Sequence, residues 1–349
     1  MLKEITFERF TAFQALTVNF SPGINIFIGE NGTGKTHILK TAYAACEVSK
    51  SGKSFARKIN DVFYPLDKQV GRLVKRASVS SDGWVEIVRR VGLDGGVTRN
   101  AKLKLSLTSR HKAPEQARVV GETFWQKHEM ETAYIPVKDM LANSPGFQAL
   151  YETREIHFEE VYVDILRKAQ LPALRGPADA QRKRLRDILG EAINGRVELK
   201  NEEFFLKNSQ GNLEFTLLAE GFRKLGLLSL LIQNGTLLNG SALFWDEPES
   251  NLNPKLMKIV TTILLALQRS GVQIFISTHD YSALKEFDLQ AEPGRDQVSY
   301  HSLYRRTEDG EIAVSSTEEY SSVSPNAIDE AFSDFIDRDI AKSMKGFKK

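Results

Sequence analysis

Three stretches, far apart in the chain, hold residue types that can act together on a phosphate. The first is FIGENGTGKT, residues 27–36, with the spacing G-x-x-x-x-G-K-T. Gly29, Gly32 and Gly34 let a backbone wrap with its N–H groups turned inward, so that phosphate oxygens meet several donors and the positive end of a helix dipole. Glu30, Asn31 and Thr33 fill the turn between them. Lys35 adds a point charge for the terminal phosphates, and Thr36 a hydroxyl for Mg²⁺. The second stretch, ALFWDEPES at 242–250, drives Asp246 and Glu247 to the end of an apolar strand. Asp246 can reach a metal through water, and Glu247 is the candidate catalytic base that orients and polarises an attacking water. The third, VQIFISTHD at 272–280, ends in His279, which at the tip of a core strand can sense a γ-phosphate and hold that water. Each has a plainer reading: the glycine spacing arises by chance, DEP can simply end a strand, and a lone histidine usually means little. Context favours chemistry, because a strand precedes the glycine turn and a helix follows it.

The elements that must position these residues are legible from periodicity. Two strands, 2–7 and 16–20, precede a third at 24–28 that runs into the glycine turn, and apolar residues at helical spacing continue from His37 to Ala45. Residues 51–112 turn polar and basic, with a helix near 55–62 and alternating strands at 84–90 and 103–107; they read as a β-rich lobe with a flexible tip. A core strand at 131–137 leads to a mainly helical region, 141–169, and a charged helix, 178–193. Short strands at 197–199, 203–207 and 213–217 lead to a helix beginning near Glu220. The strands 242–246 and 272–278 flank a helix, 254–269, and the chain closes with strands near 298–305 and 311–316 and a helix over 326–344. Continuous apolar strands alternating with helices predict an α/β fold with a largely parallel sheet covered on both faces.

Composition excludes several classes. The chain has 349 residues, is 41% hydrophobic and carries 47 Lys and Arg against 45 Asp and Glu, so it can build a core and no global field draws it to nucleic acid or anionic lipid. Lys342, Lys345, Lys348 and Lys349 make a locally basic tail that reads as solvated. The single cysteine, Cys46, fits core packing and a reducing compartment. No apolar run matches a signal peptide or a bilayer span of about 20 residues, and a cytoplasmic protein is expected.

GENGTGKT, ALFWDEPESNLNP and FISTHD, in that chain order, resemble the ABC-type ATPase heads, specifically the soluble branch that includes RecF, SMC and OLD-like proteins. The resemblance implies a P-loop NTPase fold of that head type, with a mixed or parallel core sheet, a β-rich lobe and a helical lobe. It implies ATP and Mg²⁺ as cofactors, Walker A at Gly29 to Thr36, Walker B at Asp246 and Glu247, the switch histidine at His279, and the D-loop over Glu249 to Pro254. One head spans 1–349, divided into a nucleotide-binding and β-rich part (1–137), a helical and signature part (138–235) and a Walker B and switch part (236–349). Arg9, Phe10 and Thr11 fall where such heads contact adenine and the α-phosphate.

The family's signature motif, a helix N-terminus offered to a nucleotide held by another subunit, corresponds to LAEGFRKLGLL at 218–228. Ala219 stands where the family has serine, and Glu220 and Phe222 where it has glycine and glutamine. The Gly221 N–H, with Arg223 or Lys224, can still meet a phosphate, whereas Glu220 repels one. The plainer reading is an amphipathic helix with Leu225, Leu227, Leu228 and Leu231 inward. On the functional reading, hydrolysis needs two copies in a head-to-tail C2 dimer with nucleotide sandwiched between them. Lys138 or Asp139, in PVKDML, occupies the Q-loop slot. The chain shows no SMC-type heptad arm and no acidic metal cluster of Toprim type; Asp334, Asp337 and Asp339 read as a solvated helix face. Two functions stay open, an ATPase that controls a separate effector, a nuclease or toxin, as in bacterial anti-phage systems, or a RecF-like clamp that holds duplex DNA through Lys102, Lys104, Arg110, Lys112 and the run Arg182 to Arg186; a third is a slow hydrolase that acts as a scaffold, which the departures in the signature allow.

Overall fold

The computed structural model describes residues 1–93, 96–154, 156–176 and 179–346, with residues 345 and 346 as backbone only. Strands β1 (Leu2–Phe10) and β2 (Phe13–Asn19) form a hairpin, and β3 (Ile24–Gly29) runs into α1 (Lys35–Ser51) and α2 (Phe55–Phe63). Next come β4 (Asp82–Gly92), β5 (Thr98–Thr108), β6 (Arg118–Val120), α3 (Glu122–Gln126), β7 (Thr132–Ile135), α4 (Phe147–Arg154), α5 (Glu160–Ala169) and α6 (Ala180–Ala192). Then follow β8 (Arg196–Lys200), β9 (Glu203–Asn208), β10 (Gly211–Glu214), α7 (Glu220–Gln233), β11 (Ala242–Asp246) and α8 (Pro254–Arg269). The chain continues through β12 (Gln273–Ser277), α9 (Tyr281–Gln290), β13 (Val298–Arg305), β14 (Ile312–Thr317) and α10 (Ala327–Gly346).

The central sheet has the order β14-β13-β3-β12-β11-β7, parallel except for β14. Its strands are apolar on both faces, and the period of two assigns each face to a different core. Ile24, Ile26, Leu243, Trp245, Ile274 and Ile276 join one cluster with Leu225 and Leu228 of α7 and Ile263 and Leu264 of α8. Phe27, Phe244 and Phe275 join the other, with Leu39 and Ala42 of α1 and the inward residues Ile5, Phe7, Val85 and Leu103 of the antiparallel sheet β2-β1-β4-β5-β6. Asp246 pairs with Ser277, which pairs with Phe27, so β3, β12 and β11 finish together. That common carboxyl edge is where α/β sheets bind ligands.

Some expectations change. The stretch 213–217 is not one strand: β10 stops at Glu214 and Phe215–Leu217 turns as a 3₁₀ segment, so that Phe215 is buried beneath α7. The central sheet takes β3 and β7 from residues 1–137 and β11, β12 and β13 from residues 236–349, so those two sequence parts share one layer. Helices α3 and α9 and strand β6 appear where no element was expected. Cys46 is buried in the core, where burial pushes its thiol up to about 12. Leu225, Leu227, Leu228 and Leu231 of α7 all face inward. Ala178, Lys348 and Lys349, with the Lys345 side chain, lie outside the described residues. Among the described residues no helix is long and apolar enough to cross a membrane.

Candidate nucleotide site

The glycine turn is shaped for a phosphate. Gly29, Gly32 and Gly34 have φ of 137°, 77° and 90°, a region that side-chain-bearing residues avoid. A Cβ on Gly29 would run into the Leu303 carbonyl, and one on Gly34 would lie 2.6 Å from the Phe13 ring. Two hydrogen bonds pin the loop: Thr33 Oγ1 donates to the Glu30 carbonyl at 2.8 Å, and Arg305 Nη2 to that of Gly32 at 3.2 Å. Glu30 and Asn31 stand exposed at the rim. Helix α1 starts at once, and its N-cap, Gly34, offers no side-chain cap to the first turn. Lys35 folds back, Nζ donating to the carbonyls of Gly29 at 2.7 Å and Glu30 at 3.0 Å. Burial lowers its pKa to about 8, against the opposing pull of Asp246, Glu247 and Glu249.

At the end of β11, Asp246 is held on both carboxylate oxygens. Oδ1 accepts from Thr36 Oγ1 at 3.2 Å and from Ser277 Oγ; Oδ2 accepts from the Tyr134 hydroxyl at 3.1 Å. A hydroxyl and a carboxylate are the hard oxygen donors that Mg²⁺ selects, so Thr36 and Asp246 fit that ion. Glu247 follows with φ of 49°, its N–H bonded to the Ser277 carbonyl at 3.0 Å, and this left-handed step re-aims the side chain off the strand axis. Its Oε1 lies 3.8 Å from His279 Nε2. Burial, then the neighbouring Asp246 charge, raise the Glu247 pKa, which strengthens it as a base. Burial and then Lys35 lower that of His279, leaving a neutral imidazole at neutral pH. Glu249 fixes the backbone there: its Oε1 accepts from Thr278 Oγ1 and from the His279 N–H, both at 2.8 Å.

Alongside runs a groove of about 470 Å³, lined by Gly29, Glu30, Asn31, His279, Tyr281 and the Ile328, Phe332 and Phe335 side chains of α10.

The helix expected to act as a lid behaves differently along its length. Ala219 is the exposed N-cap of α7, with no side-chain cap, and Leu217 just before it is 70% exposed. Gly221 packs so closely that a Cβ would sit 3.1 Å from the Asn251 carbonyl. The two cations proposed for a phosphate are used within the chain. Arg223 Nε lies 2.7 Å from Asp139 Oδ2 and its Nη1 donates to the carbonyls of Phe215 and Leu218, while Lys224, 1% exposed, donates to the Ser250 carbonyl at 2.6 Å. Glu220 accepts from Asn251 Nδ2 at 3.0 Å, so α7 and the segment 249–252 are clamped together. Of the Q-loop pair, Asp139 is consumed by Arg223 and Lys138 is exposed.

Upstream, Phe10 is wholly buried, its ring stacked on Phe7 and edge-on to Phe63, and is closed to adenine. Arg9 Nε donates to the Asp82 carbonyl at 2.7 Å, and Thr11 Oγ1 is buried without a partner among the described residues. Sequence reasoning missed Tyr134, Ser277 and Arg305. Ser277 carried a signal, as the first polar residue after three apolar ones on β12; Tyr134 and Arg305 owe their places to strand pairing that no local pattern encodes.

Fold and site together define a P-loop ATPase head of the ABC type, in the RecF, SMC and OLD-like branch. Residues 24–285 match the family model described as "AAA domain, putative AbiEii toxin, Type IV TA system", and the chain belongs to that family. It is 30% identical over 90 residues to the DNA replication and repair protein RecF of Limosilactobacillus fermentum, 24% of each chain. To RecF of Streptococcus gordonii it is 45% identical over 42 residues, 12% of each. The matched stretches thus span about a quarter or less of those relatives. Among solved structures, the SMC head bound to the C-winged helix domain of ScpA aligns with a TM-score of 0.58 at 12% identity, covering 92% of this chain and 98% of that one. The SMC head domain with an extended coiled coil derived from Pyrococcus furiosus aligns at 0.53 and 12%, covering 100% and 99%.

Proposed function

We propose that the protein is a Mg²⁺-dependent ATPase whose two copies close over ATP and whose nucleotide state controls a separate effector, a nuclease or toxin, in cytoplasmic anti-phage defence. The observation that carries the enzymatic part is the junction of β11 and β12, where Asp246, Glu247 and His279 converge on Lys35 and Thr36. Thr36 and Asp246 are the residues that would hold Mg²⁺, which spreads the developing charge of the triphosphate. Lys35 exchanges its two carbonyl partners for phosphate oxygens. Glu247 takes a proton from the attacking water as the water oxygen bonds to the γ-phosphorus, the bond from that phosphorus to the β–γ bridging oxygen breaks and ADP leaves with the electron pair. His279 holds that water from the other side. The N-terminus of α7, exposed at Ala219 and packed at Gly221, is the part of the partner copy that meets the γ-phosphate, through N–H groups and helix dipole rather than through Arg223 or Lys224.

The family description, which speaks of a putative toxin and a type IV TA system, supports a role in a toxin system. A second reading, ATP-dependent binding of duplex DNA, is supported by the names of the RecF relatives and by the cations left on the surface. Lys183, Arg184 and Arg186 of α6 are exposed, and Lys104 lies 3.8 Å over the Trp84 ring on the outer face of the antiparallel sheet. Light scattering with MgATP and then ADP is expected to show a dimer only with ATP. Fluorescence anisotropy on duplex DNA decides between the readings: effector control predicts no ATP-dependent binding, whereas binding that weakens steeply with salt supports the clamp. A monomer under all nucleotide conditions contradicts both.

A further inference from the structure

We infer that Tyr134 is a positioning residue for the metal carboxylate, holding Asp246 in the one rotation that presents an oxygen to a cation beside Thr36. The inference rests on the proposed Mg²⁺-dependent reading of this site. An aspartate carboxylate turns through a broad, nearly two-fold torsion, so a single anchored oxygen leaves its plane free. Here Oδ1 is held by Ser277 and Thr36, and among the described residues the Tyr134 hydroxyl is the one partner of Oδ2. Were Thr36 to offer a lone pair to a cation, its proton would stay available to Asp246, and Ser277 and Tyr134 would still anchor opposite oxygens.

The fold commits Tyr134 to this task. β7 lies parallel to β11 with Tyr134 opposite Phe244, which sets its side chain one layer from Asp246. Its ring packs 5.3 Å from that of Tyr43, and it is 1% exposed. The Tyr43 hydroxyl donates its proton to Asp164 Oδ2 at 2.7 Å, so it has none left to offer Asp246 in place of Tyr134.

The test is Mn²⁺ binding read by electron paramagnetic resonance, with a non-hydrolysable ATP analogue, on the parent and on Tyr134→Phe. Tyr134→Phe is expected to weaken Mn²⁺ about tenfold, as for one lost hydrogen bond to a charged group, while metal-free analogue binding stays within about twofold because the glycine turn is untouched. Tyr134→Met, which also fills the space without an oxygen, is expected to match it. Unchanged Mn²⁺ affinity in either folded variant overturns the inference alone. Failure of both variants to fold also overturns it, by making the hydroxyl a requirement of the core. A parent that binds no Mn²⁺ with the analogue removes the Mg²⁺-dependent reading as well.

Discussion

Glu247→Gln is expected to lower ATP turnover by about 10²–10⁴-fold, the range lost with a positioned general base, while MgATP still binds. The amide keeps the size and hydrogen-bonding reach of the carboxylate but cannot take a proton. Cradle and metal donors sit on other residues, Gly29 to Thr36 and Asp246, so binding is spared. With chemistry blocked, the closed, ATP-loaded dimer is expected to accumulate. Steady-state hydrolysis and light scattering on the same sample check both halves. A variant that hydrolyses at the parental rate removes Glu247 from its role, and one that cannot bind nucleotide makes its part structural.

Lys58→Met is expected to destabilise the fold by about 3–5 kcal/mol, the cost of breaking a buried ion pair from one side. Lys58 is 1% exposed, with Nζ 2.6 Å from Asp164 and 3.1 Å from Glu160, and Glu160 also meets Lys53 at 2.6 Å. Burial by itself would lower the Lys58 pKa; Asp164, Glu160 and Glu47 together outweigh it and raise it, so the ammonium is retained up to high pH. Removing it leaves, among the described residues, Asp164 of α5 with Arg167 at 3.9 Å and Glu160 with Lys53 alone as counter-charges. The exposed pair Lys102–Glu86, at 3.0 Å with Lys102 65% exposed, is the control: Lys102→Met is expected to cost about 0–1 kcal/mol. Urea unfolding of the three proteins gives both differences, and equal midpoints for the two variants would contradict the buried network.

How much of this was legible in the sequence depends on whether the information was local. The strand 242–246 and the helix 254–269 coincide with β11 and α8, because a continuous apolar run and a Pro at the first helical turn are local signals. The glycine turn was legible for the same reason. Helix α9 was missed although Asp280 caps it, accepting from the Ala283 N–H at 2.8 Å, because Asp280 had been read as the end of the histidine motif. Arg223 and Lys224 looked like free cations at a helix start. Only the folded chain brings Asp139 and the Ser250 carbonyl to them, and partners many residues away leave no periodic trace. Tyr134 is the same case at the heart of the site: on its own strand it is one more core residue, and only the pairing of β7 with β11 turns it toward Asp246.

The claim on which the rest depends is that a triphosphate takes Lys35 from its two carbonyl partners, and calorimetric titration of MgATP from pH 7 to pH 10 tests it most directly. The free lysine has a pKa of about 8, and a bound triphosphate raises it, whereas a phosphate has already lost its last proton, with pKa about 6, below this range. Affinity is therefore expected to be level below pH 8. Above it, affinity should fall about tenfold per pH unit with uptake of one proton on binding, and Lys35→Ala should abolish that uptake. Affinity that stays level through pH 10, or proton uptake that persists in Lys35→Ala, would place the nucleotide elsewhere.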